Sequence, residues 1–156
     1  RDVLGSRGLG DVYKRQTKGR YAIRIMVDLA MSPRDEYVKV KDIAFRQGIS
    51  EKYLEQIIGI LSRAGILKSA RGARGGYQLA KDPEKYTVEE ILRLTEGSLA
   101  PVACLGDEEN QCSRYDICAS IELWEELYKL VTDYLKSKTI ADLAETQKAK
   151  LLGMGL

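Results

Sequence analysis

The chain has 156 residues, 44% hydrophobic and 31% charged, with a formal net charge of +2 at pH 7. These proportions suit one globular domain, or a domain with an added oligomerisation element. No apolar run approaches the roughly 18–20 residues that span a bilayer, which excludes a transmembrane segment, and no membrane partner is expected. No secretory signal is visible and the cysteine count is odd, so a cytoplasmic, reducing setting is expected.

The first sixteen residues, RDVLGSRGLGDVYKRQ, hold three glycines and show no sustained period. They read as a non-native or disordered leader, 1–16, outside the fold. From Thr17 the pattern turns helical. Tyr21, Ala22, Ile25, Met26, Leu29 and Ala30 recur at three and four residues until Pro33 stops the run. Val40 to Phe45 forms a short second helix stopped by Gly48. Ser50 is placed to cap a third, whose buried side is Leu54, Ile57, Ile58 and Leu61, with Gly65 at its C′ position. Two short helices joined by Gln47-Gly-Ile-Ser50 have the spacing of a helix-turn-helix.

Two short strands follow, Ile66–Ala70 and Tyr77–Ala80, around Arg71-Gly-Ala-Arg-Gly-Gly76. Glycine lets a backbone approach phosphate or enter a groove, and arginine supplies charge and planar donors. Directly after a helix-turn-helix, such a hairpin predicts a wing. Thr87-Val-Glu-Glu90 is a capping box that opens a fourth helix ending near Gly97, so 17–98 forms one winged helix-turn-helix domain.

Residues 99–118 carry all three cysteines, Cys104, Cys112 and Cys118, in a polar, acidic loop, and the chain contains no histidine. Free cysteine usually behaves as a small core hydrophobe, so a cluster on a polar loop points to ligands. Thiolate must then dominate any metal site, favouring iron–sulfur or zinc over copper or non-haem iron. A long helix comes next, to about Lys138. One apolar stripe, Ile117, Ile121, Trp124, Tyr128, Val131 and Leu135, suffices to pack it on its own domain. A second stripe, Leu123, Leu127, Leu130 and Tyr134, calls for another copy of the chain. The segment 119–145 is thus a dimerisation helix with a short terminal helix, and 146–156 a flexible tail. The class is mainly α, with a small β-hairpin wing.

Charge is unevenly spread. Residues 38–81 carry nine Lys/Arg against three acids, whereas 101–156 carry ten acids against six bases. A basic half beside an acidic half fits a nucleic-acid face joined to a module with another task. Catalysis is not expected: there is no nucleophile elbow or phosphate loop, and Glu125 and Glu126, adjacent on a helix, point apart.

Thr17-Lys-Gly-Arg-Tyr-Ala22, Ile49-Ser-Glu-Lys-Tyr-Leu-Glu-Gln56, Arg71-Gly-Ala-Arg-Gly-Gly-Tyr77, the cysteines and Leu123-Trp124 together resemble the Rrf family of bacterial repressors. The likeness runs from about Thr17 to Glu145, and the cysteine triad is similar to that of its IscR-like, cluster-binding branch. The resemblance implies a homodimeric repressor of iron–sulfur-cluster biogenesis genes that binds a palindromic duplex. The helix from Ser50 would enter the major groove and the wing the adjacent minor groove. Lys52, Glu55 and Gln56 would read bases or phosphates, and Arg71, Gly72, Arg74 and Gly75 would meet the backbone or a narrow groove.

It also implies that Cys104, Cys112 and Cys118 hold an iron–sulfur cluster, expected as 2Fe-2S with 4Fe-4S the alternative. Two departures stand out. The first cysteine gap is seven residues instead of five, and the histidine that serves relatives as fourth ligand is replaced by Ile121. Glu122, one helical turn past Cys118, is the leading fourth ligand, ahead of Asp107, Glu108, Glu109, Asp116 or the partner's Asp28. Zinc on three cysteines and one acid, a metal-free thiol switch, and an iron–sulfur enzyme or electron carrier are the competing readings.

Overall fold

A computed structural model describes residues 9–101, 105 and 113–155. Six helices and one two-stranded antiparallel sheet follow the order α1 (Leu9–Met31), α2 (Val40–Gln47), α3 (Glu51–Arg63), β1 (Leu67–Ala70), β2 (Gly76–Leu79), α4 (Val88–Glu96), α5 (Ile121–Lys136) and α6 (Ile140–Gly153). The core forms where their apolar stripes meet. Ile25, Met26 and Leu29 of α1 pack with Ile43 of α2, Leu54, Ile57 and Leu61 of α3, Ile91 of α4 and Ile140 of α6, all buried.

Local chemistry sets the element ends. Gly48 stops α2 in the left-handed region at φ 65°, and the Ser50 hydroxyl opens α3 by accepting from the Tyr53 amide at 3.2 Å. The turn between α2 and α3 is thereby fixed at both sides by sequence. The hairpin pairs Leu67 with Leu79 and Ala70 with Gly76. Its outer strand gains a short third member, because Val38 and Tyr77 exchange two backbone hydrogen bonds of 2.8 Å each. Tyr86, almost wholly buried, anchors the base. Its hydroxyl donates to the Ile66 carbonyl at 3.0 Å and accepts from the Lys81 amide at 2.9 Å.

Two boundaries differ from the sequence reading. Helix α1 begins at Leu9, so residues 9–16 of the expected non-native or disordered leader are helical; residues 1–8 lie outside the described residues. Once a helix is nucleated, adding a residue costs little, and no proline interrupts 9–16. The tail expected at 146–156 is corrected more strongly, because α6 continues to Gly153. A reciprocal capping box starts that helix. The Thr139 hydroxyl accepts from the Asp142 amide at 3.1 Å, and the Asp142 carboxylate from the Thr139 amide at 2.9 Å. Packing along α1 carries it onward.

Helix α5 packs on α4 through one side only. Ile121 is buried and Trp124, Tyr128 and Leu135 are half-buried, as the first stripe requires, although Val131 is 40% exposed and Ile117, which lies before the helix, 73%. The second stripe is left bare: Leu123 is 61%, Leu130 68% and Tyr134 62% exposed. Among the described residues no helix is long and apolar enough to cross a membrane.

Candidate nucleic-acid interface and cysteine site

Helix α3 is two-faced. Burying Leu54, Ile57, Ile58 and Leu61 turns Lys52, Glu55 and Gln56 outward, and all three are exposed. Their spacing places them on the first turn and a half, the part of a recognition helix that meets base edges. Tyr53, between the two faces, stacks edge-on with Tyr21 of α1 at 5.7 Å, and Arg24 lies 5.0 Å over the Tyr21 ring. This aromatic pair braces α3 against α1. Only the helical spacing of Tyr21 was visible in sequence, not its partner.

The wing tip divides its residues by task. Arg71, Gly72 and Arg74 are exposed, with Gly72 at φ 100°, a conformation glycine adopts freely. Gly75 is buried, and a side chain there would collide with the Ala70 carbonyl. Its amide donates to the Gly72 carbonyl at 3.0 Å and closes the turn. Two glycines therefore build the tip while the two arginines are displayed on it. Neither Arg71 nor Arg74 forms an ion pair with a described residue.

Of the cysteines, Cys118 alone is described; Cys104, Cys112, Asp107, Glu108 and Glu109 lie outside the described residues. Cys118 is half-buried at the end of a 3-10 turn, Tyr115–Ile117, three residues before α5. Its Sγ sits 3.4 Å from the Ser120 hydroxyl. Hydrogen bonding from that hydroxyl and from the Ser120 backbone holds the thiol below its ordinary range, helped by the Ile121 amide and the charge of Arg114. Such a setting favours thiolate, the form needed both to ligate iron and to attack as a nucleophile. Sequence reading missed Ser120; the signal was a hydroxyl two residues past a cysteine at a helix start.

Glu122 lies exposed on the first turn of α5, four residues after Cys118. Asp116 is exposed too, whereas Asp28 is buried and fully engaged. Arg46 donates to its carboxylate through two nitrogens at 3.0 and 2.6 Å, and the Gln47 amide donates at 2.8 Å. Nearby, Tyr115 donates to Glu125 at 2.5 Å, tying the 3-10 turn to α5. That carboxylate pushes the Tyr115 phenol up.

Comparison with known proteins agrees with this geometry. Residues 15–146 match the Rrf2 family model, described as an iron-dependent transcriptional regulator. The chain is 44% identical over 131 residues to protein rrf2 of Nitratidesulfovibrio vulgaris, covering 83% of this chain and 86% of that one. To CymR of Bacillus subtilis it is 41% identical, covering 84% and 89%. The solved structure of that protein, the global cysteine regulator of B. subtilis, superposes with a TM-score of 0.70 over 83% of this chain and 95% of its own. The structure of T. potens IscR, 40% identical, gives 0.69 over 84% and 85%.

Proposed function

Because the chain belongs to the Rrf2 family of transcriptional regulators, we propose that it is a homodimeric repressor whose DNA affinity follows an iron–sulfur cluster held by Cys104, Cys112 and Cys118. The genes it governs are those of iron–sulfur cluster biogenesis. The observation that carries the DNA half is the pairing of one exposed polar helix face with one exposed cationic hairpin. Lys52, Glu55 and Gln56 on capped α3 stand with Arg71 and Arg74 on the wing. Each protomer sets α3 in a major groove, where Gln56 matches the donor–acceptor pair of adenine and Glu55 accepts from a cytosine amino group. The wing arginines enter the neighbouring minor groove, whose narrow stretches concentrate negative potential. Two such units on a two-fold axis read a palindrome, and the bare Leu123, Leu127 and Leu130 stripe supplies an apolar seam between them.

Three observations support the cluster: three cysteines, no histidine, and a thiolate-favouring setting at Cys118. When bound, a cluster supplies an oxidation-sensitive, oxygen-labile charge next to the start of α5. The chain's own residues would hold it: the cysteines as thiolates, with Glu122, on the first turn of α5, as the oxygen donor. Oxygen is a poorer partner than thiolate for this chemistry, which suits a site that must release what it senses.

A second reading, a metal-free thiol switch, draws on the equal similarity to CymR and on the same lowered Cys118 thiol. Anaerobic purification followed by an absorption spectrum with iron and sulfide counts separates the two. Bound iron and sulfide support the cluster. Their absence, with a disulfide forming on mild oxidation, supports the switch. Titration with a palindromic duplex in either state checks the DNA half independently.

A further inference from the structure

A cavity of about 740 Å³ opens between α1, α6 and the last turn of α2, away from both the recognition face and Cys118. That is the size of a small-molecule site. Its wall is mixed. Val27 and Met31 of α1 and Leu143 and Leu151 of α6 are apolar, while Arg24, Asp28, Arg46, Gln47 and Lys150 are polar or charged.

The charges do not cancel. Asp28 is fully engaged by Arg46 and Gln47, and Arg24 donates to the Gln47 side chain at 3.0 Å and to its carbonyl at 2.5 Å. Lys150 has no hydrogen bond or ion pair among the described residues. The wall thus presents three cations against one carboxylate, beside an apolar surface. A core gap would be apolar, and a solvated charge face would lack the apolar lining.

We propose that this cavity binds a small organic carboxylate with an apolar body. Its head meets the Lys150 ammonium and the guanidinium nitrogens that Arg24 and Arg46 leave free, and its tail lies on Val27, Met31, Leu143 and Leu151. The site borders the turn that leads into the recognition helix. Arg46 and Gln47 end α2, and Ser50, three residues on, caps α3. The binding claim rests on the cavity alone and stands or falls apart from the cluster.

The test uses octanoate as the probe, titrated into the full chain by calorimetry. We expect saturable binding, one per protomer. Lys150→Glu, an exposed change outside the DNA face, should weaken it at least about tenfold, and Met31→Trp should block it by filling the cavity. Both variants should keep wild-type affinity for duplex, which reports an intact fold. Acetate, lacking the tail, and octylammonium, of opposite charge, should bind far more weakly. No octanoate binding at millimolar concentration would overturn the proposal, as it would if a second copy of the chain fills the cavity. Binding that Lys150→Glu leaves unchanged, or that octylammonium matches, would also overturn it.

Discussion

Gln56 and Arg71 are both exposed, and on the proposed DNA face they would do different things to a duplex. A glutamine amide distinguishes bases, so Gln56→Ala should relax preference at one operator position, with about 1–3 kcal/mol of discrimination lost. A wing arginine neutralises phosphate whatever the sequence. Arg71→Ala or Arg74→Ala should weaken every duplex alike and reduce the slope of log affinity against log salt by about one. Competition titrations at several salt concentrations check both, and a wing variant with unchanged slope would remove Arg71 from the interface. At Cys118 the direction of the shift makes its own prediction. The thiol ionises below its ordinary range, mainly through the Ser120 hydroxyl. Its alkylation by iodoacetamide should therefore reach half its maximal rate at a lower pH than a free cysteine, and Ser120→Ala should move that midpoint up. Peptide mapping by mass spectrometry isolates Cys118 from the other two thiols. The exposed face of α3 was legible in sequence because helical spacing alone assigns it. The Tyr21–Tyr53 brace and the Ser120 contact were not, since each depends on where separate elements meet.

The elements show the same division. Ser50, Gly48 and Thr87 are local signals, and they placed α2, α3 and α4 within a residue or two, although of the box expected at Thr87–Glu90 the structure shows the Thr87 cap, its hydroxyl accepting from the Glu90 amide at 3.1 Å. Helix α6 was misjudged because its cap uses the shorter aspartate in place of the glutamate of the usual box, and because its amphipathic signal is faint. Its length comes from lying along α1, a fact of packing that no local pattern carries. The cap makes α6 sensitive to acid. Asp142 is held below the ordinary carboxylate range, first by the Thr139 amide and then by the Thr139 hydroxyl. A depressed folded value contributes stability above the unfolded value, near pH 4, and that contribution disappears as pH falls through the folded one. Asp142→Asn should flatten the acid limb of a melting curve, whereas Thr139→Ala should lower stability by about 1 kcal/mol at neutral pH. Thermal melts between pH 3 and pH 7 read both; an unaltered acid limb in Asp142→Asn would assign the sensitivity elsewhere.

At the scale of the molecule, α5 has one side on α4 and the other bare, which is the arrangement expected of half a seam. Leu127→Asp would bury an unpaired charge there if two copies close over it, and should give monomers or insoluble protein. Sedimentation at micromolar concentration is the check, and a wild-type chain that sediments as a monomer would remove the two-half-site model. The bare face of α5 was legible as a second stripe in the sequence, because a helix with two apolar faces asks for two coverings. The residue that joins the halves of the protomer was not. Tyr86 holds the base of the hairpin with its hydroxyl, and its backbone carbonyl accepts from the Ile140 amide at 2.9 Å, where α6 begins; two residues on, the Val88 amide donates to the Lys138 carbonyl at 2.9 Å. The foot of the wing and the foot of the last helix are therefore fastened to a single residue, one through its hydroxyl and the other through its carbonyl. In hydrogen exchange the amides of Lys81, Val88 and Ile140 should open together, as one cooperative unit, instead of fraying separately from a hairpin and a terminus. Tyr86→Phe, which removes both hydroxyl hydrogen bonds and leaves the ring, should split that unit in two.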